Sequence, residues 1–384
     1  MISSPSTSRF PEWGVRLSYA EIIVVLAAAA AAYSIGHWAS RRKALAEKLG
    51  LSIEGFAVVL KCKRVHEYIQ RVGARHARVL RAFGDAGVVA GAFLSVAGLF
   101  YLHANLFQLL VRSPAASPVV PLVPGWTVGL DALPYFVVAV AIALVPHELA
   151  HALVAAAESI PVKSVGAFLL LLFPGGFAEL DEEELERRPT RTKARVLSAG
   201  SLANLLTFLL LLLAVQLLVK PLGVRVVETR ENYPAHGVLE PGDLIVGVGG
   251  VNVSTLGDFS GALLRYKPGD NVSLEVIRGG SAVRVYMRLA SHPEDPTRPA
   301  LGVVIEQAFS NDALYSALWW SLVLSGSVAL LNMLPIYPLD GGRLLAAALG
   351  SLNPKSRKNL VTGLSAYTAI LLLLNVFLSV VPSP

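Results

Sequence analysis

Residues 147–151 read His-Glu-Leu-Ala-His, the pattern HExxH. On a helix, positions four apart share a face. His147 and His151 can therefore offer two imidazoles to one ion, with Glu148 one residue round, beside it. Two neutral nitrogens and one oxygen suit tetrahedral zinc, with water in the fourth place. Such an ion lowers the pKa of its water, and a nearby carboxylate takes the proton. The surroundings are apolar, and a carboxylate at the centre of an apolar span costs about 2.5–3.5 kcal/mol, so it rarely persists without a partner or a task. The bland alternative is a buried His–Glu network that ties helices together. Pro146 lacks an N–H and leaves the Ile142 carbonyl without its helical donor.

HExxH supplies two ligands, and a third is needed. Of the nine aspartates, Asp340 alone ends an apolar stretch, in Asn-Met-Leu-Pro-Ile-Tyr-Pro-Leu-Asp-Gly-Gly at 332–342. Pro335 and Pro338 forbid a regular helix there, and Gly341 and Gly342 permit tight backbone geometry. A broken segment of this kind can turn a carboxylate inward at membrane depth. Asp340 would equally suit the N-cap of a following helix, and the residues alone leave both readings open. The other six histidines, His37, His66, His76, His103, His236 and His292, have no second His three or four positions on.

These groups need elements to position them. The chain has 384 residues, 54% hydrophobic and only 16% charged, with a mean hydropathy of +0.58. Soluble domains carry about 25% charged residues. The composition excludes disorder, a coiled coil and a wholly soluble enzyme, and points to a polytopic α-helical membrane protein. Six stretches approach or exceed the ~20 residues that cross a bilayer: 20–39, 86–111, 132–157, 196–219, 313–339 and 359–381. A basic run at 41–43 directly after the first favours a retained span over a cleaved signal peptide. The net charge of +6 sits beside these spans. It fits topology and lipid headgroups, not nucleic acid, since basic and aromatic residues do not interleave. The single Cys62 excludes an internal disulfide and a multi-cysteine zinc site.

Eleven basic residues separate the first two spans, whereas Arg112 alone separates the second and third. Loops 3–4 and 5–6 are also basic. The positive-inside rule puts these three loops in the cytoplasm, the termini and one long polar insert outside, and the active site toward the cytoplasmic side of the membrane. Residues 165–173 are too few to cross. They end in Phe-Pro-Gly-Gly-Phe, a turn signal, and are expected as a re-entrant element or short hairpin packed on protein. The acidic run 181–186 reads as a solvated helix start.

The insert, 222–307, shows strand candidates at 224–229, 244–248, 272–277 and 283–289, and a short helix at 256–265. Its stretch 233–253, with Leu-Glu-Pro-Gly-Asp-Leu-Ile-Val-Gly-Val-Gly-Gly-Val-Asn-Val, resembles the PDZ domains of membrane and periplasmic proteases. That resemblance implies binding of chain termini or extended peptides by strand addition. A purely structural cap is the alternative. The expected division is 1–85, first span and basic loop; 86–221, membrane part carrying HExxH; 222–307, PDZ-like extracytoplasmic domain; and 308–384, membrane part carrying Leu-Asp-Gly.

HELAH together with NMLPIYPLDGG resembles the site-2 protease family of intramembrane zinc metalloproteases. Phe-Pro-Gly-Gly-Phe-Ala-Glu-Leu-Asp at 173–181, Gly-Ser-Leu-Ala-Asn at 200–204 and the PDZ-like insert agree with it. Where many members have Gly-Pro, this chain has Gly200-Ser201. The resemblance covers about 130–384, so the first two spans lie outside the common core. It implies one Zn2+ per chain on His147, His151 and Asp340, with Glu148 as catalytic base. It also implies that Asn332 and Asn204 sit near the site, where an amide can hydrogen-bond the scissile carbonyl or the oxyanion. An interhelical hydrogen bond is the plainer role for Asn204. The expected partners are transmembrane protein substrates, a peptide or C-terminus at the insert, and the lipid bilayer. The rivals are a catalytically silent PDZ-type scaffold and an intramembrane metal transporter. The scaffold does not explain a full ligand set, and the internal repeats common in transporters are not found.

Overall fold

The computed structural model describes residues 30–31, 33–42, 46, 50–55, 57–61, 63–124, 126–170, 173–293 and 295–380. They divide into two compact units: Leu213–Ser316, and the residues on either side of it. Among the described residues, five helices are long and apolar enough to cross a membrane: α2 (Ala77–Leu110), α3 (Leu133–Ala157), α5 (Thr190–Leu218), α7 (Asp312–Asn332) and α9 (Pro354–Val380). The protein is a polytopic helical membrane protein. Most of the expected first span, 20–39, lies outside the described residues. The expected fifth span overran: α7 stops at Asn332, because a helix cannot continue through the prolines at 335 and 338.

Before α2 lie β1 (Leu51–Glu54), β2 (Ala57–Lys61) and α1 (Lys63–Arg75), and between the later long helices lie β3 (Val162–Leu170), β4 (Phe173–Leu180), α4 (Glu182–Arg187) and α8 (Asp340–Ala348). The four strands form one antiparallel sheet in the order β1-β2-β3-β4. The short hairpin expected at 165–173 is therefore β3–β4, extended by two strands that the basic first loop concealed. The Phe-Pro-Gly-Gly-Phe stretch is strand, not turn. Its glycines answer cross-strand rings: Gly175 pairs with Phe168 and Gly166 with Phe177, and a Cβ on either glycine would run into the facing ring. Strand glycines covered by cross-strand aromatics are a known means of fixing register. Asp181 caps α4, its carboxylate accepting from the Glu184 N–H at 3.1 Å.

Helix α2, outside the expected common core, supports the elements that carry the motifs. Gly84 and Gly87 lie against Arg195 and Ser198 of α5, and Gly91 and Gly98 against Met333 and Leu334. Small residues let membrane helices approach closely. Ser95 donates to the Met333 carbonyl at 2.7 Å, just beyond the end of α7. Arg195 makes a bidentate pair with Asp85, at 2.8 and 2.7 Å, and reaches Glu158 at 2.7 Å. These contacts tie α2, the end of α3 and α5 into one body.

The second unit holds β5 (Pro221–Thr229), β6 (Leu244–Val248), β7 (Val251–Asn252), α6 (Leu256–Leu263), β8 (Asn271–Arg278), β9 (Ser281–Arg288), β10 (Ala290–Ser291), β11 (Pro299–Ala300) and β12 (Val303–Phe309). The main sheet runs β12-β5-β6-β8-β9, with β7 on β6. All four expected strands and the expected helix are present. Alternate residues turn inward, so Val224, Val226, Ile245, Leu274 and Val276 close over Phe259 of α6. Thr255 and Asp258 form a reciprocal capping box at the start of α6.

Candidate metalloprotease centre

Helix α3 carries HExxH on its buried side, where His147 and His151 are nearly inaccessible. Asp340, at the first position of α8, points its carboxylate to both rings. His147 Nε2 lies 3.4 Å and His151 Nε2 3.2 Å from Asp340 Oδ2. The two Nε2 atoms are 3.1 Å apart. A tetrahedral ion with bonds of about 2.0–2.1 Å spaces its donors about 3.3 Å from one another. The three atoms thus have the spacing of one face of such a site, and the residues fit zinc. The N-cap of α8 is Leu339, and the Asp340 side chain is not its cap.

The rings are oriented from behind. His151 Nδ1 lies 2.7 Å from the Val196 carbonyl, which can only accept. The proton is therefore on Nδ1, and Nε2 keeps its lone pair for a metal. His147 Nδ1 lies 3.2 Å from the side-chain nitrogen of Asn204, while Asn204 Oδ1 is buried without a partner. Turning the amide by half a turn resolves both facts: Oδ1 then accepts from Nδ1–H, and His147 Nε2 is also freed for the ion. Asn332, half-buried, has its Nδ2 3.0 Å from His147 Nε2.

Gly200 explains the Gly-Ser-Leu-Ala-Asn stretch. A Cβ there would collide with His151 Nε2 and the His147 ring. Only glycine lets α5 pass behind both imidazoles. The sequence showed the glycine, but a glycine inside a helical pattern does not say what it approaches.

Glu148 stands beside the triad and next to β4. Its Oε2 accepts from the Ala178 N–H at 2.9 Å, and Gly176 lies over its Cγ. That N–H belongs to the outer edge of β4, which pairs only with β3 among the described residues. Sequence reasoning missed this contact, because strand and helix meet only in the folded sheet.

Among the described residues, His147, His151 and Asp340 are the one group of three such side chains whose ligand atoms converge, all within 4.8 Å of one another. The family model of peptidase family M50 matches residues 135–376, spanning both motifs. The chain belongs to peptidase family M50. It is a metalloprotease by that membership, and the His-His-Asp group is its metal-binding constellation.

Relatives agree. An uncharacterized protein of Methanocaldococcus jannaschii is 29% identical over 301 residues, covering 75% of this chain and 76% of its own. The membrane-bound transcription factor site-2 protease homolog of Arabidopsis thaliana is 32% identical over 205 residues. That match takes in 50% of this chain and 40% of the plant protein. Over 22% of its length the M50 chain resembles the solved PDZ domain of the SdrC-like protein of Listeria monocytogenes, at 25% identity, covering 86% of that domain with a TM-score of 0.20. The corresponding domain from Listeria innocua gives 25% identity, 96% coverage and a TM-score of 0.21.

Proposed function

We propose that this M50 peptidase is a zinc-dependent intramembrane endopeptidase that cuts transmembrane segments of other membrane proteins. The observation that carries the reading is the triangle of His147 Nε2, His151 Nε2 and Asp340 Oδ2 at 3.1–3.4 Å, with Glu148 beside it and an open strand edge alongside. His147, His151 and Asp340 would hold the zinc. Bound there, it supplies Lewis acidity toward a water and toward the scissile carbonyl. Glu148 is the base: Ala178 N–H fixes one oxygen, and the other takes the water's proton and later passes it to the leaving nitrogen. Asn332, beside His147, suits a donor to the oxygen that becomes negative. Asn204 acts through His147.

A helical substrate hides its peptide bonds in its own hydrogen bonds, so it must be extended before cleavage. Strand addition to a sheet edge does this. Strand β3 is paired on both sides, by β2 and β4, and has no edge to offer. The edge offered to a substrate is β4, where the Ala178 N–H already reaches Glu148 at 2.9 Å.

The insert is read as a PDZ-like domain that binds a chain terminus or extended peptide. Strand β12 is one edge of its sheet, and β9 is the other. Beside β12 a cavity of about 50 Å³ lies among Phe259, Leu263, Leu301, Gly302 and Val303, with Arg230 at its wall. The cavity suits one small apolar side chain and the arginine a carboxylate. The charge of the loops places this domain outside the cell and the basic loops inside.

The test is co-expression with candidate single-span proteins. The parent should cleave and bind one zinc, and Glu148→Gln should keep the zinc and lose cleavage. Near-parental turnover in Glu148→Gln would move the base elsewhere. With Cys62 replaced, a cysteine at Ala46 should resist impermeant reagents and one at Ser254 should react; the reverse would invert the topology.

A further inference from the structure

A groove of about 810 Å³ opens between α9 and the segment that leads into α8. Sites for small molecules measure about 300–1,000 Å³. Tyr337 stands on one wall, and Val361, Ala366 and Ala369 of α9 form the other. Arg357 and Lys358 stand at one end. Both are exposed, and neither has an ion-pair partner among the described residues. The first turn of α9 holds no acid. Arg343 of α8 pairs with Glu182 at 2.6 Å, and among the described residues no acidic one lines the groove. One end of the groove is therefore cationic and uncompensated, and the rest is mostly apolar, with the hydroxyls of Tyr337, Thr362 and Ser365 among its lining residues.

Its length discriminates between occupants. From Lys358 to Ala369, α9 rises about 17 Å, roughly half of the ~30 Å hydrocarbon core. A transmembrane substrate helix needs the whole thickness, whereas a lipid of one leaflet needs half. Thr362, one turn deeper than Lys358, also lines the groove. It offers a hydroxyl at the depth of glycerol esters.

We propose that this groove binds one anionic glycerophospholipid from the leaflet in which α9 begins. Its phosphate sits at Arg357 and Lys358, and one acyl chain lies along Val361, Ala366 and Ala369. The wall it covers precedes Asp340 directly, and Tyr337 N–H is bound to Ser365 Oγ of α9 at 3.0 Å. The lipid thus braces the segment that delivers the third metal ligand.

The experiment uses full-length Glu148→Gln protein in nanodiscs of equal parts phosphatidylcholine and phosphatidylglycerol, read by native mass spectrometry and independent of cleavage. One phosphatidylglycerol per chain should be retained over phosphatidylcholine. The pair Arg357→Gln, Lys358→Gln should lower that retention by about thirtyfold, two surface cations being lost. Ala369→Phe, which fills the groove without changing charge, should lower it too. Circular dichroism and metal content identical to the parent will show that both variants are folded. Equal retention of the two lipids would overturn the proposal, as would retention that neither variant changes. Inorganic phosphate that competes as well as the lipid would make this an anion site only. A photo-crosslinker at position 369 that captures a substrate helix in place of lipid would assign the groove to substrate.

Discussion

The two units differ in the polar groups they bury. In the insert, Phe259, Ile245 and Leu274 are wholly enclosed, and Asp243 is the one buried polar side chain among the described residues. In the membrane unit, large apolar side chains face out: Phe100 is 73% exposed and Phe93 68%. Its interior holds His147, His151, Asn204, Ser198, Ser201 and Asn375. Water drives the first arrangement, because burying apolar area is favourable there. Lipid removes that drive between helices, so close contact and polar pairing take over. Chemistry with charged groups then resides where polar residues are already inside. The insert, with its apolar core, has an edge strand, β12, beside a small cavity.

The largest effect should come from the polar interior. Asp340→Ala removes one of three ligands and should leave the purified protein with almost no zinc by elemental analysis. Full zinc in that variant would remove Asp340 from the metal. The insert's apolar core should come next. Phe259→Ala should cost about 3–5 kcal/mol of insert stability, measured by limited proteolysis of the full chain in denaturant. Phe100→Ala, on the lipid-facing side of α2, should change stability by under about 0.5 kcal/mol. Equal losses would erase the contrast between the units.

A finer effect separates two roles for Asn204. As the group that orients His147, its loss in Asn204→Ala should weaken zinc binding about 10–100-fold, the range seen for outer partners of metal ligands. Asn204→Asp keeps an acceptor for Nδ1–H and should recover most of that affinity. If Asn204 served only the reacting carbonyl, competition with a zinc chelator would show no change, and kcat alone would fall.

Legibility in the sequence follows the same division. The insert's strands alternate because one face meets the core, so 244–248 and 272–277 were readable by period. The spans were readable by hydropathy, but their inward faces were not, since apolar residues lie on both sides. His147, Glu148, His151 and Asp340 stood out because ionisable groups are rare in apolar stretches. Gly200 and the glycines of α2 carry no such mark, and their meaning lies in what they approach. The hairpin β1–β2 was hidden in a basic loop, although Gly50 and Gly55, both at positive φ, bracket its first strand. Its strands make sense only once β3, about a hundred positions later, pairs with β2. The end of α7 was misjudged because the apolar run continues past the residue where proline halts the helix.

The smallest expected effect tests Asp243, the insert's one buried charge among the described residues. The Asp243 side chain is 1% exposed. Burial alone would raise its pKa, but two bonds from Arg278, at 2.8 and 2.6 Å, and one from the Glu240 N–H, at 2.9 Å, outweigh it. The carboxyl is held below the ordinary carboxylate range. A carboxyl with a lowered folded pKa contributes stability that is complete above its unfolded value, about 3.9. That contribution is lost as pH falls through the unfolded value toward the folded one. The insert's melting temperature should therefore be flat from neutral pH to mild acid and fall below about pH 4. Asp243→Asn should lower it at neutral pH, because Arg278 loses its charged partner, and should flatten the acid limb. The exposed pair of Arg284 and Glu275, at 2.8 Å, serves as the control, since surface pairs contribute about 0–1 kcal/mol. Glu275→Gln should leave the acid limb as it is. An acid limb that survives intact in Asp243→Asn would mean that other carboxylates set the insert's acid sensitivity, and that its one buried charge does no more than satisfy Arg278.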